Sequence, residues 1–209
     1  VPNFVITAMK RTLTYITMVI AVALGAFAAT PQQLMATASK KLADAPSVSS
    51  TFTIVTNEGR GGQALGSMQM AKKACTISAG GMTMWYDGNT QWVYSVGTQE
   101  VNISKPQLED LLESNPFVLI SNYASHFNVA SGGKNIAVLT PKNKQNSGID
   151  KATVTFDANG WPAKISVKFQ NGSTIKVAVS KITIDKALPA STFRFDPRKY
   201  PEADIIDLR

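Results

Sequence analysis

From Pro46 onward the apolar residues of this chain recur at every second position, and no other feature limits its fold so strongly. Phe52 and Ile54 alternate with Thr51 and Thr53, Met68 and Met70 with Ser67 and Gln69, and Cys75 and Ile77 with Ala74 and Thr76. Met82, Met84 and Tyr86 continue the pattern, Asp87-Gly88-Asn89 turns the chain, and Trp92, Tyr94 and Val96 carry it back. Farther on, Ile165, Val167 and Phe169 alternate with Lys164, Ser166 and Lys168, and Ile175, Val177 and Val179 with Thr174, Lys176 and Ala178. Side chains of a strand point alternately to its two faces, so these segments read as antiparallel strands with one apolar face. Turn signals at Gly61-Gly62, Gly132-Gly133, Asp157 to Gly160 and Asn171-Gly172 separate them. A sheet of this many strands must curl, and its apolar face then becomes the inside of a barrel or half-barrel.

Three helix starts interrupt the pattern. Thr30-Pro31-Gln32-Gln33 sets a capping threonine before a first-turn proline, with a glutamine three residues after the cap. Leu34, Met35, Ala38 and Leu42 then follow helical spacing to about Asp44, ahead of Pro46. Ser104-Lys105-Pro106-Gln107 offers a second start before Leu108, Leu111 and Leu112, and Asn115-Pro116 a third. In the third, Phe117, Ile120, Tyr123 and Phe127 lie along one side while Val118 and Leu119 face elsewhere. A helix pressed between a sheet and its neighbours has reason to be apolar nearly all round, so these helices are the natural lid. The space beneath is either filled by side chains or left to receive an apolar ligand. The flexible thioethers of Met68, Met70, Met82 and Met84 suit both arrangements.

At the amino end Lys10 and Arg11 precede the apolar run from Leu13 to Leu24, and Ala26-Phe27-Ala28 follows. This is the pattern of a secretory signal cleaved near Ala28, with Met9 as initiator, and the apolar run is short for a bilayer-spanning helix. Cys75 is the only cysteine, which excludes an internal disulfide and leaves no acceptor for a lipid anchor near the cleavage point. Residues 1–28 therefore read as an extension plus signal peptide, and residues 29–209 as one soluble domain. The full chain carries a formal net charge of +7. Its basic residues form no dense stripe interleaved with aromatics, so nucleic acid is not expected as a partner. His126 is the single histidine, and one histidine with one cysteine makes no metal site and no hydrolytic triad. Ser121 or Ser125 beside His126 is the nearest approach to a nucleophile with a base. No phosphate-binding glycine loop is present, and no cofactor is expected. Many strands, an apolar helix cluster and no catalytic group point to a binder, not an enzyme.

The order of motifs resembles the LolA family of periplasmic lipoprotein carriers. The likeness is carried by Tyr86-Asp87-Gly88-Asn89-Thr90-Gln91-Trp92-Val93-Tyr94, Glu100-Val101, Asn115-Pro116-Phe117-Val118-Leu119-Ile120, Val138-Leu139-Thr140-Pro141-Lys142 and Phe193-Arg194-Phe195-Asp196-Pro197. It implies an α+β, mainly antiparallel fold: an incomplete, half-open β-barrel of about eleven strands, with a helical lid over an apolar cavity. It implies a soluble, monomeric periplasmic chaperone that shields the acyl chains of lipoproteins. Such a carrier takes cargo from an inner-membrane ABC transporter and delivers it to the outer membrane, where a receptor can receive it. The expected cavity wall comprises Leu34, Met35, Leu42, Phe52, Ile54, Met68, Met70, Met82, Met84, Trp92, Tyr94, Leu111, Phe117, Leu119, Ile120 and Tyr123. In the better known members an arginine within a K-R-P pattern latches the lid. Here that place reads Lys72-Lys73-Ala74, which makes Lys73 the latch candidate without the planar arginine fork. A lipid- or lipoprotein-sensing domain of the same fold, or a lipid-acting hydrolase, stands as the alternative.

Overall fold

The computed structural model describes residues 29–57, 62–107, 110–112 and 115–209. The expected signal segment, Gly61 of the first glycine pair, and Leu108 at the second helix start lie outside the described residues. Helix α1 (Pro31–Asp44) begins as its sequence requires. The Thr30 hydroxyl accepts from the Gln33 backbone N–H at 3.2 Å, and the Gln33 side chain accepts from the Thr30 N–H at 2.8 Å. This reciprocal pair satisfies two of the donors that a helix start leaves unpaired. Helix α2 (Pro116–His126) starts on Asn115, whose Oδ1 accepts from the Phe117 N–H at 3.0 Å.

The strands are β1 (Ser47–Thr56), β2 (Gly62–Ala71), β3 (Ala74–Ala79), β4 (Met82–Tyr86), β5 (Gln91–Ser95), β6 (Glu100–Ser104), β7 (Phe127–Ser131), β8 (Ile136–Pro141), β9 (Ile149–Phe156), β10 (Pro162–Phe169), β11 (Thr174–Asp185) and β12 (Asp204–Asp207). They form one open sheet in the order β12-β6-β5-β4-β3-β2-β1-β11-β10-β9-β8-β7. Among the described residues every pairing is antiparallel except one: the tail strand β12 runs parallel to β6, with Ile205 opposite Val101. Ser104, expected as a helix cap, instead ends β6, and its hydroxyl donates to Gln91 Oε1 at 3.5 Å. The following helical turn starts later, where the Gln107 N–H bonds Asp110 Oδ2 at 2.9 Å and Leu111 N–H bonds the Gln107 carbonyl.

Register sorts the side chains into two faces. Val48, Phe52, Met68, Met70, Cys75, Met84, Ala137, Leu139, Ala152, Val154, Ile165, Val167 and Val177 point toward the helices and form one core with Met35, Ala38, Phe117, Leu119 and Ile120. Gly66 sits directly opposite Phe52, whose ring lies across it. The ring also meets Phe117 of α2, with centroids 6.0 Å apart. Two polar ties hold α1 at its ends: Gln32 donates to the Val129 carbonyl at 3.0 Å, and Lys41 donates to the Asn159 carbonyl while lying 5.0 Å above Trp161.

The other face carries a smaller apolar cluster near the β6 edge. Trp85 packs edge-on against Phe195 and Tyr200, each 5.6 Å away, and Tyr94 meets Tyr200 at 4.6 Å. The segment from Ala190 to Tyr200 thus clasps the outside of the sheet, and Thr76 fastens it by donating to the Thr192 carbonyl at 2.7 Å.

Candidate functional site

Between α2 and strands β2 to β4 lies a recess of about 370 Å³. Met70, Cys75 and Tyr86 supply its sheet side, and Val118, Asn122 and Leu111 its helix side. Alternation puts Met70, Cys75 and Tyr86 on the lid-facing side, because Met70 pairs with Cys75 and Cys75 with Tyr86 across adjacent strands. Lys72 and Lys73, in the turn between β2 and β3, stand at the edge of this recess.

Asn115 is a polar link between lid and sheet. It is fully buried, and while Oδ1 caps α2, Nδ2 reaches Cys75 Sγ at 3.5 Å. Burial pushes the Cys75 thiol up to about 12, and the Asn115 bond only partly offsets it. The thiol is therefore protonated and unreactive near neutral pH, a small apolar wall element. Burial likewise raises Tyr86 above the ordinary phenol range, and nearby Cys75 and Asp87 add to the rise. These two lid-facing groups stay uncharged, which suits an uncharged, oily guest.

Beside the recess, Asp87 holds the β4–β5 turn. Its Oδ1 accepts from the N–H groups of Asn89 and Thr90 at 3.0 and 2.9 Å, and Oδ2 lies 3.0 Å from Arg194. Partial burial works against ionisation, but these hydrogen bonds and the guanidinium outweigh it and hold the carboxyl below its usual range.

The expected wall residues, with the latch candidate, separate into four groups. Met70, Leu111 and the latch candidate Lys73 border the recess. Leu34, Met35, Leu42, Phe52, Met68, Met84, Phe117, Leu119 and Ile120 lie on the same side but are packed into the core, with Ile54 and Tyr123 half-buried against them. Met82 lies at the opposite end of β4 from Tyr86, away from the recess and 47% exposed. Trp92 and Tyr94 are corrections: Trp92 pairs with Trp85, and Tyr94 packs on Tyr200, so both face away from the lid. Asn115, Val118 and Tyr86 join the wall although the sequence does not mark them for it. Asn115 reads there only as a cap; full burial of a polar cap beside a cysteine strand is invisible without register.

Ser125 and His126 both border a separate opening of about 240 Å³ at the far end of α2. Among the described residues no hydrogen bond joins the two side chains, and no group of His, Cys, Asp or Glu could hold a metal.

An open antiparallel sheet with a lid helix over a recess on its core face defines the class: a lidded half-barrel. The chain belongs to the LolA family. Residues 81–196, more than half of it, match the family described as outer membrane lipoprotein carrier protein LolA. No curated protein sequence matches it. Among solved structures, an uncharacterized conserved protein from Thermus thermophilus superposes with a TM-score of 0.52 at 10% identity, over 84% of this chain and 98% of that one. A LolA superfamily protein from Nitrosomonas europaea gives 0.48 at 12% identity, over 80% and 99%. A putative outer membrane lipoprotein-sorting protein domain from Vibrio parahaemolyticus gives 0.43 at 13%, over 76% and 94%. At 10% identity the likeness to the Thermus thermophilus protein is one of fold.

Proposed function

We propose that this protein is a soluble periplasmic carrier that shields lipoprotein acyl chains and moves them from the inner to the outer membrane. The recess under α2 carries the reading: Met70, Leu111 and Val118 give it apolar wall beside the polar Asn115, Ser121 and Asn122, and the lid above it touches the sheet through an amide–thiol contact at one end. Each methylene kept from water is worth about 0.8 kcal/mol, so an acylated protein needs such a shield to cross an aqueous space. Family membership and the signal-like amino end, with cleavage near Ala28, support export of a single domain from residue 29.

The recess lies at the low end of the roughly 300–1,000 Å³ typical of ligand sites. Cargo with several chains therefore enters only when α2 lifts from Phe52 and Met68, which turns the packed wall residues into contacts of the loaded state. Lys73 then serves as a weak latch at the lid edge, while Lys142, donating to the Ala124 carbonyl at 2.7 Å, holds the far end of α2 as the hinge about which the near end lifts. The partners are acylated lipoproteins, an inner-membrane ABC transporter that releases them and an outer-membrane receptor. The role is binding, without catalysis.

The test uses Val118, which borders the recess and is only half-buried. Val118→Glu should reduce uptake of a fluorescent fatty-acyl probe at least tenfold while the far-ultraviolet circular dichroism keeps its β-sheet form. Wild-type protein that binds no probe, and brings down no acylated protein or lipid detectable by mass spectrometry, would remove the basis for the carrier role.

A further inference from the structure

The face of β9, β10 and β11 that points away from the helices is a lysine surface, and among the described residues no helix or strand is packed on it. Register places Lys151, Lys164, Lys168, Lys176 and Lys181 all on that side. Lys151 pairs with Lys168, Lys164 with Thr155 and Ala178, Lys176 with Ser166 and Val55, and Lys181 with Thr51. All five are exposed. Between them stand Ser and Thr, and the carboxylates on these strands are Asp150 and Asp185. Asp150 lies at one end, 3.3 Å from Lys168 and 3.7 Å from Lys144, and Asp185 at the opposite end of β11.

Strands are about 4.8 Å apart and residues about 3.3 Å apart along them, so Lys151 and Lys168 lie within one Debye length, ~8 Å at physiological salt, Lys176 is about one such length from Lys164, and Lys181 stands farther along β11. Like charges directly opposite on a sheet repel, and Asp150 offsets that repulsion between Lys151 and Lys168 only in part. An anionic surface laid against the face relieves that repulsion. At the β1–β2 end the same face presents apolar groups: Leu65 is 80% exposed and Val55 41%.

We propose that this lysine face docks the protein on anionic lipid bilayers, with Leu65 and Val55 entering the headgroup boundary. The chemistry favours a bilayer over nucleic acid. The outward residues of these strands include neither an aromatic group to stack on a base nor an arginine to grip a phosphate bidentately, whereas lysines with neighbouring exposed aliphatics match an anionic apolar boundary. Docked this way, the lid and its recess face away from the bilayer and stay open to a protein partner. The inference goes beyond the carrier reading and does not depend on the recess holding a guest.

The full chain is sedimented with vesicles of phosphatidylcholine alone and of equal parts phosphatidylcholine and phosphatidylglycerol. Binding is expected on the anionic vesicles, to be lost at about 1 M salt where the Debye length shrinks to ~3 Å. Each lysine near such a surface contributes roughly fivefold, so Lys164→Gln/Lys176→Gln, neither of them ion-paired among the described residues, should weaken partitioning about 25-fold. Lys105→Gln/Lys134→Gln removes the same charge from the sheet's two margins and should change it less than twofold. Leu65→Ser should weaken binding to the anionic vesicles at low salt several-fold, since its exposed side chain no longer enters the boundary. Equal losses in both double variants, equal binding to neutral vesicles, no vesicle binding, or tighter binding to duplex DNA would each overturn the proposal. Val118→Glu should leave vesicle binding intact, so failure of the carrier reading and failure of this one are separable.

Discussion

Asn115→Ala is expected to loosen the lid without unfolding the sheet. Two bonds disappear: the cap to the Phe117 N–H at 3.0 Å and the link to Cys75 Sγ at 3.5 Å. Loss of an Asn cap costs about 1 kcal/mol, within a range of 0.5–2, and a bond to sulfur adds little. If α2 opens as a local unit, a loss of about 1–2 kcal/mol raises the open population roughly 5- to 30-fold. Cys75 is the built-in reporter, because burial and a thiol held up to about 12 keep it from reacting while the lid is closed. Labelling by a disulfide reagent at pH 8 should therefore accelerate by that factor, while the melting temperature falls by only about 2–8 °C. Asn115→Ser keeps a capping oxygen but cannot span to Cys75, and should fall between wild type and alanine. Unchanged labelling in Asn115→Ala, or free-thiol reactivity in the wild type, would refute the idea that this residue fastens the lid over a buried thiol.

Two further outcomes follow from the same packing. A Cβ on Gly66 would stand 2.3 Å from Phe52 Cε2 and 2.5 Å from Cζ, and that ring already leans on Phe117. Gly66→Ala should destabilise by about 1–3 kcal/mol in urea unfolding and regain part of it with Phe52→Leu; a neutral effect would mean the ring is free to move. Arg194→Ala should lose less than about 1 kcal/mol at pH 7, since the guanidinium is 62% exposed. Asp87 ionises below its ordinary range in the folded protein, so its stabilisation is present above about pH 4 and fades as pH falls through the lowered value. The mutant and wild-type stabilities should accordingly converge in acid, and a gap that widens there would contradict the assigned pair.

The period of two makes the sheet legible, and the capping patterns at Thr30 and Asn115 make α1 and the lid legible, because both depend on neighbours close in sequence. Phase is harder to read. The four residues from Asp87 to Thr90 connect β4 and β5, and an even-numbered loop sets Met84 against Val93 and Trp85 against Trp92. Alternation alone groups Met84 with Trp92; loop parity turns Trp92 and Tyr94 outward to the clasp segment. The site is legible only in its neighbourhood. Periodicity shows which residues point inward, but whether they touch or leave room is fixed by volumes contributed from distant strands. For that reason Leu119 and Ile120, expected at a cavity, are packed, whereas Val118, expected to face elsewhere, borders the opening. The tail is the least readable part, since its parallel pairing joins residues about a hundred positions apart.

That parallel pairing bears on how the molecule is made. When β6 has left the ribosome, the backbone donors and acceptors along its free margin must wait for Asp204–Asp207 before they find their partner. Unguarded strand margins recruit other chains, and synthesis proceeds at only about 5–20 residues per second. The nascent protein thus spends seconds with an adhesive seam, an interval in which a holding chaperone, or passage across a membrane in unfolded form, would protect it from its own kind.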